Sequence, residues 1–219
     1  MNDSFIGHLE LFPSVVAKYT HSDPESIRKI FLNIIDQYPK DQIHYEEERF
    51  QHYYNKGDLS EKQHPEISDF MNWARSCVSD YAEKFFGLSD RKFVDLNVWL
   101  NSNRGGSQVA HTHNNSFFSA TYYVQLDPAE HVGLNFYNPK FSVNANKAVI
   151  DIEPDIDNNH YSMPYYPAQV TQGELLIWPS QLLHGYDQPD VDRARISVSM
   201  NFLPETIGGS LYGFKISKI

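Results

Sequence analysis

Gly173-Glu174-Leu175-Leu176-Ile177-Trp178-Pro179-Ser180-Gln181-Leu182-Leu183-His184-Gly185 reads as a turn, a short apolar strand, a bend, and a histidine that opens a second strand. Ten residues later the chain alternates: Arg195, Ser197, Ser199 and Asn201 fall on one face, and Ala194, Ile196, Val198, Met200 and Phe202 on the other. Upstream, Phe117 to Leu126 alternates too, with Ser119, Thr121, Tyr123 and Gln125 opposite Phe118, Ala120, Tyr122, Val124 and Leu126; the pattern leaves open which face is the interior. Phe93 to Leu100 and Gly133 to Tyr137 are further candidate strands. Short strands in succession, with no helices between them, predict an antiparallel sandwich or barrel.

Before Phe93 the signals are helical. Asp23-Pro24-Glu25 supplies an N-cap and a first-turn proline, followed by Ile27, Ile30, Phe31, Ile34 and Ile35 at helical spacing up to Tyr38-Pro39. A second helix after His64-Pro65 carries Ile67, Phe70, Met71, Ala74, Val78, Tyr81 and Phe85 on one stripe and ends at Gly87. Cys77 beside that stripe reads as a small core residue. The expected plan is therefore one domain spanning 1–219. Residues 1–90 give mostly helical support, 91–204 the β core with an irregular insertion at 142–168, and 205–219 a tail. That insertion holds Asp151, Glu153, Asp155 and Asp157, but a calcium loop from Asp155 fails because His160 and Tyr166 stand at its glycine and glutamate positions.

A chain of 219 residues with 41% hydrophobic and 21% charged residues buries one core. The net charge of −10 disfavours nonspecific nucleic-acid binding driven by counterion release, with a local basic patch left open. A lone cysteine excludes an intrachain disulfide, and neither a secretory leader nor a membrane-spanning apolar run is seen. The expectation is a soluble, cytoplasmic protein with no nucleic-acid or membrane partner; a homodimer is admissible.

Ten histidines are present. His8, His21, His44, His52, His64, His131 and His160 sit in polar contexts and are expected on the surface. His111-Thr112-His113 differs, because alternate residues of an extended segment project to the same side and both imidazoles can reach one ion. His184 then supplies a third ligand from across the barrel. Three protein ligands on one face of an octahedral ion leave room for a bidentate cosubstrate and dioxygen. Arg195, with Ser197 two residues on, suits a carboxylate clamp; for that strand alone, a surface salt bridge is the simpler reading. Tyr123 offers a second hydrogen bond if its face is the inner one, although a packed sheet tyrosine is common.

Together, Leu11-Phe12-Pro13, His111-Thr112-His113-Asn114-Asn115-Ser116, Ser119 to Tyr123, Gly173 to Ser180, His184 and Arg195 to Asn201 resemble the 2-oxoglutarate and Fe(II)-dependent oxygenase family found in bacteria and cyanophages. The resemblance spans most of the chain. It implies a double-stranded β-helix, or jelly roll, buttressed by the N-terminal helices, and a phage-encoded protein acting in the host cytoplasm is compatible with it. His111, His113 and His184 would ligate iron, and Arg195 with Ser197 would bind the distal carboxylate of 2-oxoglutarate. The implied reaction hydroxylates a C–H bond of a peptide or small molecule, consuming dioxygen and releasing succinate and CO₂.

One departure stands out: the wider superfamily uses two histidines and a carboxylate, and here His113 holds the carboxylate position. Three neutral ligands should weaken the hold on Fe(II), and they keep open a zinc hydrolase or an oxoglutarate-independent dioxygenase. A non-enzymatic ligand-binding barrel is the remaining alternative. Arg193 shares the strand parity of Arg195 and is the competing clamp.

Overall fold

The computed structural model describes residues 14–47, 49–54, 59–138, 163–208 and 211–216. The calls on His8, Leu11 to Pro13, the acidic run Asp151 to Asp157 and His160 lie outside them.

Two helices form first along the chain. α1 (Pro24–Gln37) starts where the Asp23 carboxylate accepts the Ser26 N–H at 3.0 Å, and it buries Ile27, Phe31 and Ile34. α2 (Ser68–Phe86) follows a 3₁₀ turn at Pro65–Ile67 and stops at Gly87, whose φ of 65° is left-handed and free of cost only for glycine. Cys77 is buried in α2, and burial pushes its thiol up to about 11, as expected of an inert core residue. Phe85, expected on the buried stripe, is 47% exposed: the stripe turns away from the core in the last turn. Among the described residues no helix is long and apolar enough to cross a membrane.

The strands are β1 (Ala17–Thr20), β2 (His44–Glu47), β3 (Phe50–Tyr53), β4 (Phe93–Asn103), β5 (Gly106–His111), β6 (Phe118–Gln125), β7 (Asn135–Tyr137), β8 (Tyr165–Pro167), β9 (Glu174–Pro179), β10 (His184–Gln188), β11 (Arg195–Pro204), β12 (Thr206–Gly208) and β13 (Gly213–Lys215). They form a seven-stranded sheet in the order β1-β9-β6-β11-β4-β3-β2, a four-stranded sheet in the order β5-β10-β7-β8, and the hairpin β12-β13. All pairings are antiparallel.

The alternation in β6 and β11 decides the layering. Phe118, Ala120, Tyr122, Val124, Ile196, Val198, Met200 and Phe202 join the helices in one core. The opposite face, with Tyr123, Leu176 and Trp178, meets Phe136 and Tyr186 of the smaller sheet, and Leu134 just before β7, in a second. The polar face of β6 and β11 is therefore the inner one, between two sheets of a double-stranded β-helix.

Four expectations change. The first ninety residues are not only helical support, since β1, β2 and β3 extend the large sheet at both edges. The insertion ends in β8, paired to β7, and the tail forms β12-β13. β4 runs past Leu100 to Asn103 because β11 and β3 both pair with it there, overriding the low strand propensity of asparagine. His52 and His131 are buried rather than solvated; His131 accepts the Asp127 N–H at Nδ1 and donates from Nε2 to the Arg193 carbonyl.

Candidate metal and cosubstrate site

Pairing of β5 with β10 sets His184 directly opposite His111. The strands approach closely at Gly185, where a Cβ would stand 2.5 Å from the Gln108 carbonyl oxygen, so only glycine fits. His113 arrives differently from the expected strand parity: β5 ends at His111, and His113 lies in the following loop, pinned by its backbone N–H to the Ser180 carbonyl at 2.9 Å.

The three imidazoles present ligand atoms all within 4.8 Å of one another, with ring centroids 4.9, 4.5 and 5.1 Å apart. His111 Nδ1 lies 2.8 Å from the Val109 carbonyl and His184 Nδ1 2.8 Å from the Leu182 carbonyl. A carbonyl only accepts, so each Nδ1 carries the proton and each Nε2 keeps its lone pair for a metal. Burial lowers His184 to about 3, aided by His111 and His113, and lowers His113 to about 4, aided by His111. Both are neutral, the form that ligates.

Arg195, Ser197, Trp99, Asn101, Trp178 and Tyr186 also line the cavity they border. Arg195 is 1% exposed, stacked between Tyr186 (4.4 Å from guanidinium carbon to ring centroid) and Tyr123 (5.1 Å). Its Nε and Nη1 have no hydrogen-bond partner, and among the described residues no carboxylate pairs with it. It is also the one charged side chain among those described as lining the cavity. A buried, unpaired cation is costly unless an anion arrives to meet it. Arg193, by contrast, is exposed and reaches Gln125 Oε1 at 3.5 Å.

Ser197 is buried on the cavity wall beside Arg195. Tyr123 packs beneath the guanidinium, and its oxygen accepts the Leu134 N–H at 3.2 Å; burial raises its pKa despite the nearby cation, so the hydroxyl stays protonated. Beyond it, Asn101 Nδ2 donates to Ser199 Oγ (3.1 Å), which lies 3.3 Å from Thr121 Oγ1.

The donor set fits the groups it would hold. Three imidazole nitrogens suit a borderline divalent ion such as Fe(II) and leave coordination positions open, and the two unpartnered nitrogens of the guanidinium suit a carboxylate. Strand alternation from His184 could have found Tyr186. Asn101 was hidden because its asparagine-rich strand end looked like a loop, and Trp99 and Trp178 because sequence does not separate a cavity wall from a core.

A double-stranded β-helix with three convergent histidines and a buried arginine in one cavity defines a metal-dependent oxygenase domain. Comparison with known proteins agrees: residues 97–201, which carry all three histidines and Arg195, match the family model described as putative 2OG-Fe(II) oxygenase. The protein is a 2-oxoglutarate-dependent, non-haem Fe(II) oxygenase.

Its fold is that of solved structures at low identity. A prolyl-4-hydroxylase from Pseudomonas putida is 13% identical with a TM-score of 0.51, covering 86% of this chain and 92% of that one. A prolyl hydroxylase from Trichoplax adhaerens, in complex with a hypoxia inducible factor peptide fragment, is 10% identical with a TM-score of 0.54, covering 87% and 84%. The epimerase SnoN, in complex with Fe³⁺, α-ketoglutarate and nogalamycin RO, is 10% identical with a TM-score of 0.58, covering 88% and 80%. No curated protein matches the chain in sequence.

Proposed function

We propose that the protein hydroxylates a C–H bond of a peptide or small-molecule substrate, with His111, His113 and His184 holding the iron and Arg195 and Ser197 holding the distal carboxylate of 2-oxoglutarate. The observation that carries this reading is the buried guanidinium of Arg195, unpaired in the same cavity as the histidine cluster. Arg195 stacks over Tyr186, two residues from His184 along β10, and both Arg195 and the histidines line one cavity, so a dicarboxylate would meet the guanidinium at one end and the metal at the other.

The bound iron supplies the oxidising chemistry, coupling decarboxylation of 2-oxoglutarate to oxygen transfer from dioxygen, so that R–H, dioxygen and 2-oxoglutarate give R–OH, succinate and CO₂. The chain's own residues bind, orient and exclude water. Arg195 and Ser197 fix the cosubstrate, Tyr123 supports the guanidinium with a protonated hydroxyl, and the indoles of Trp99 and Trp178 wall the metal side with apolar surface. Trp99 lies 6.1 Å from His113, centroid to centroid. The solved relatives support both substrate classes, one in complex with a peptide and another with nogalamycin RO.

The test is stoichiometric. The Fe(II) protein is incubated in air with 2-oxoglutarate and fractionated cell extract, following succinate and mass gain in the extract. Succinate matched by a product 16 Da heavier supports hydroxylation; succinate matched by a product with no added oxygen contradicts it.

A further inference from the structure

Trp178 carries a polar atom that nothing in the fold uses. It is 2% exposed on the inner face of β9, its Nε1 is buried without a hydrogen-bond partner, and it lines the cavity with His184 and Arg195. Its ring meets His184 at 4.8 Å and Phe136 at 5.4 Å between centroids, both edge to face, so the indole is held by packing on the metal side. Directly opposite in register is Ser119 of β6, but that hydroxyl belongs to another chain of bonds: Ser116 donates to Ser180, Ser180 and Ser119 share a bond, and Ser119 donates to Asn201 Oδ1. The indole N–H stands outside it.

An indole N–H only donates, and a buried donor left dry is a defect that folds remove unless something occupies the place. Because Trp178 lines the cavity, a ligand bound there can bring the missing acceptor. Its position is the metal end: Trp178 abuts His184, whereas Arg195 stacks on Tyr186 farther along β10. Resting on the proposed binding of 2-oxoglutarate in this cavity, we propose that the Trp178 Nε1–H donates to the carboxylate at the keto-acid end of 2-oxoglutarate, the end opposite to the one that Arg195 grips. The two buried donors then read both ends of one molecule. Oxidative decarboxylation removes that carboxylate as CO₂ and turns the keto carbon into succinate's own carboxylate, one carbon nearer Arg195, so the product keeps the arginine contact and its nearest acceptor falls short of the tryptophan N–H. The site thereby prefers fresh cosubstrate to spent product.

The test reads the indole directly. Zinc-loaded, ¹⁵N-labelled protein, diamagnetic, gives three indole N–H signals, from Trp73, Trp99 and Trp178, assigned with Trp→Phe variants. Saturating 2-oxoglutarate is expected to move the Trp178 proton downfield more than that of Trp99, which lines the same cavity, while saturating succinate leaves it in place. In parallel, Trp178→Phe keeps a ring against His184 and removes the donor. Anaerobic titration of its Fe(II) form, followed by the metal-to-ligand charge-transfer band, is expected to show 2-oxoglutarate bound about tenfold or more weaker, the size of a lost hydrogen bond to a charged acceptor, with Fe(II) affinity unchanged.

An indole signal that stays still while the wild-type band forms overturns the inference alone, as does a Trp178→Phe variant that binds 2-oxoglutarate as tightly as wild type. A wild-type protein that forms no band overturns the cosubstrate reading beneath it as well. The wild-type indole measurement stands by itself if the variant does not fold.

Discussion

Replacing Arg195 by Met separates a residue kept for binding from one kept for stability. The guanidinium is 1% exposed, with two unpartnered nitrogens and no carboxylate among the described residues. Each dry donor costs about 1–3 kcal/mol, so the ligand-free fold carries a penalty of about 2–6 kcal/mol there. Stacking on Tyr186 and Tyr123 returns about 1–4 kcal/mol in all. Methionine fills similar volume without the polar cost, so ligand-free Arg195→Met should be as stable as wild type or more stable by up to a few kcal/mol. For a chain of this size, about 2–4 °C of melting temperature accompanies each kcal/mol.

Binding should move the opposite way. A carboxylate left facing methionine loses its charge-assisted partner, about 2–5 kcal/mol, or from about 30-fold to several thousandfold in affinity. The assay is thermal melting of the zinc-loaded protein with and without 2-oxoglutarate. Wild type should gain melting temperature with ligand, and Arg195→Met should start equal or higher and gain much less at the same 2-oxoglutarate concentration. A variant that melts far lower without ligand, yet still responds to 2-oxoglutarate, would refute the assignment of Arg195 as the clamp.

Other consequences follow from the same geometry. His184→Ala should lower metal occupancy at least a hundredfold while the fold persists, checked by metal content and circular dichroism, because the residue lies between Phe136 and His111 and its loss leaves two ligands. Gly185→Ala places a methyl 2.5 Å from the Gln108 carbonyl oxygen, so β5 and β10 must part; melting temperature and metal affinity should fall together. Acid should destabilise the metal-free protein: His184 and His113 stay neutral in the fold to about pH 3 and about pH 4, whereas the unfolded chain takes up their protons near 6.5. Between those limits the unfolded state binds more protons, so stability rises with pH by up to about 1.4 kcal/mol per unit for each histidine. Denaturant unfolding from pH 7 to 4.5 should show that slope, and His184→Gln should flatten it.

Much of this was legible in the chain because period-2 alternation survives folding. The faces of β6 and β11 were written in Phe118 to Leu126 and Arg195 to Phe202, and the helix signals at Asp23-Pro24 and Gly87 are local chemistry. What escaped depends on contacts distant in sequence. β1 is a strand because Ala17 to Thr20 pair with Ile177 to Glu174, and the polar stretch at β2-β3 is extended because β4 receives it. His113 was placed in the right cluster for an incomplete reason, since a bond to the Ser180 carbonyl, not strand parity, brings it in. The choice between Arg193 and Arg195 could not be made from parity, which both share; burial separates them. Trp178 sat within the quoted motif as an apolar letter, its unpaired nitrogen visible only once its neighbours were known.

On the proposed reading, one cavity would bind Fe(II) through His111, His113 and His184 and 2-oxoglutarate through Arg195. Adding 2-oxoglutarate to the Fe(II) protein without oxygen, and recording the visible spectrum, tests it most directly. A charge-transfer band that saturates at one equivalent, and that is lost in both His184→Ala and Arg195→Met, is the predicted result. A wild-type protein that binds Fe(II) and shows no band, or a band undiminished in Arg195→Met, would contradict it.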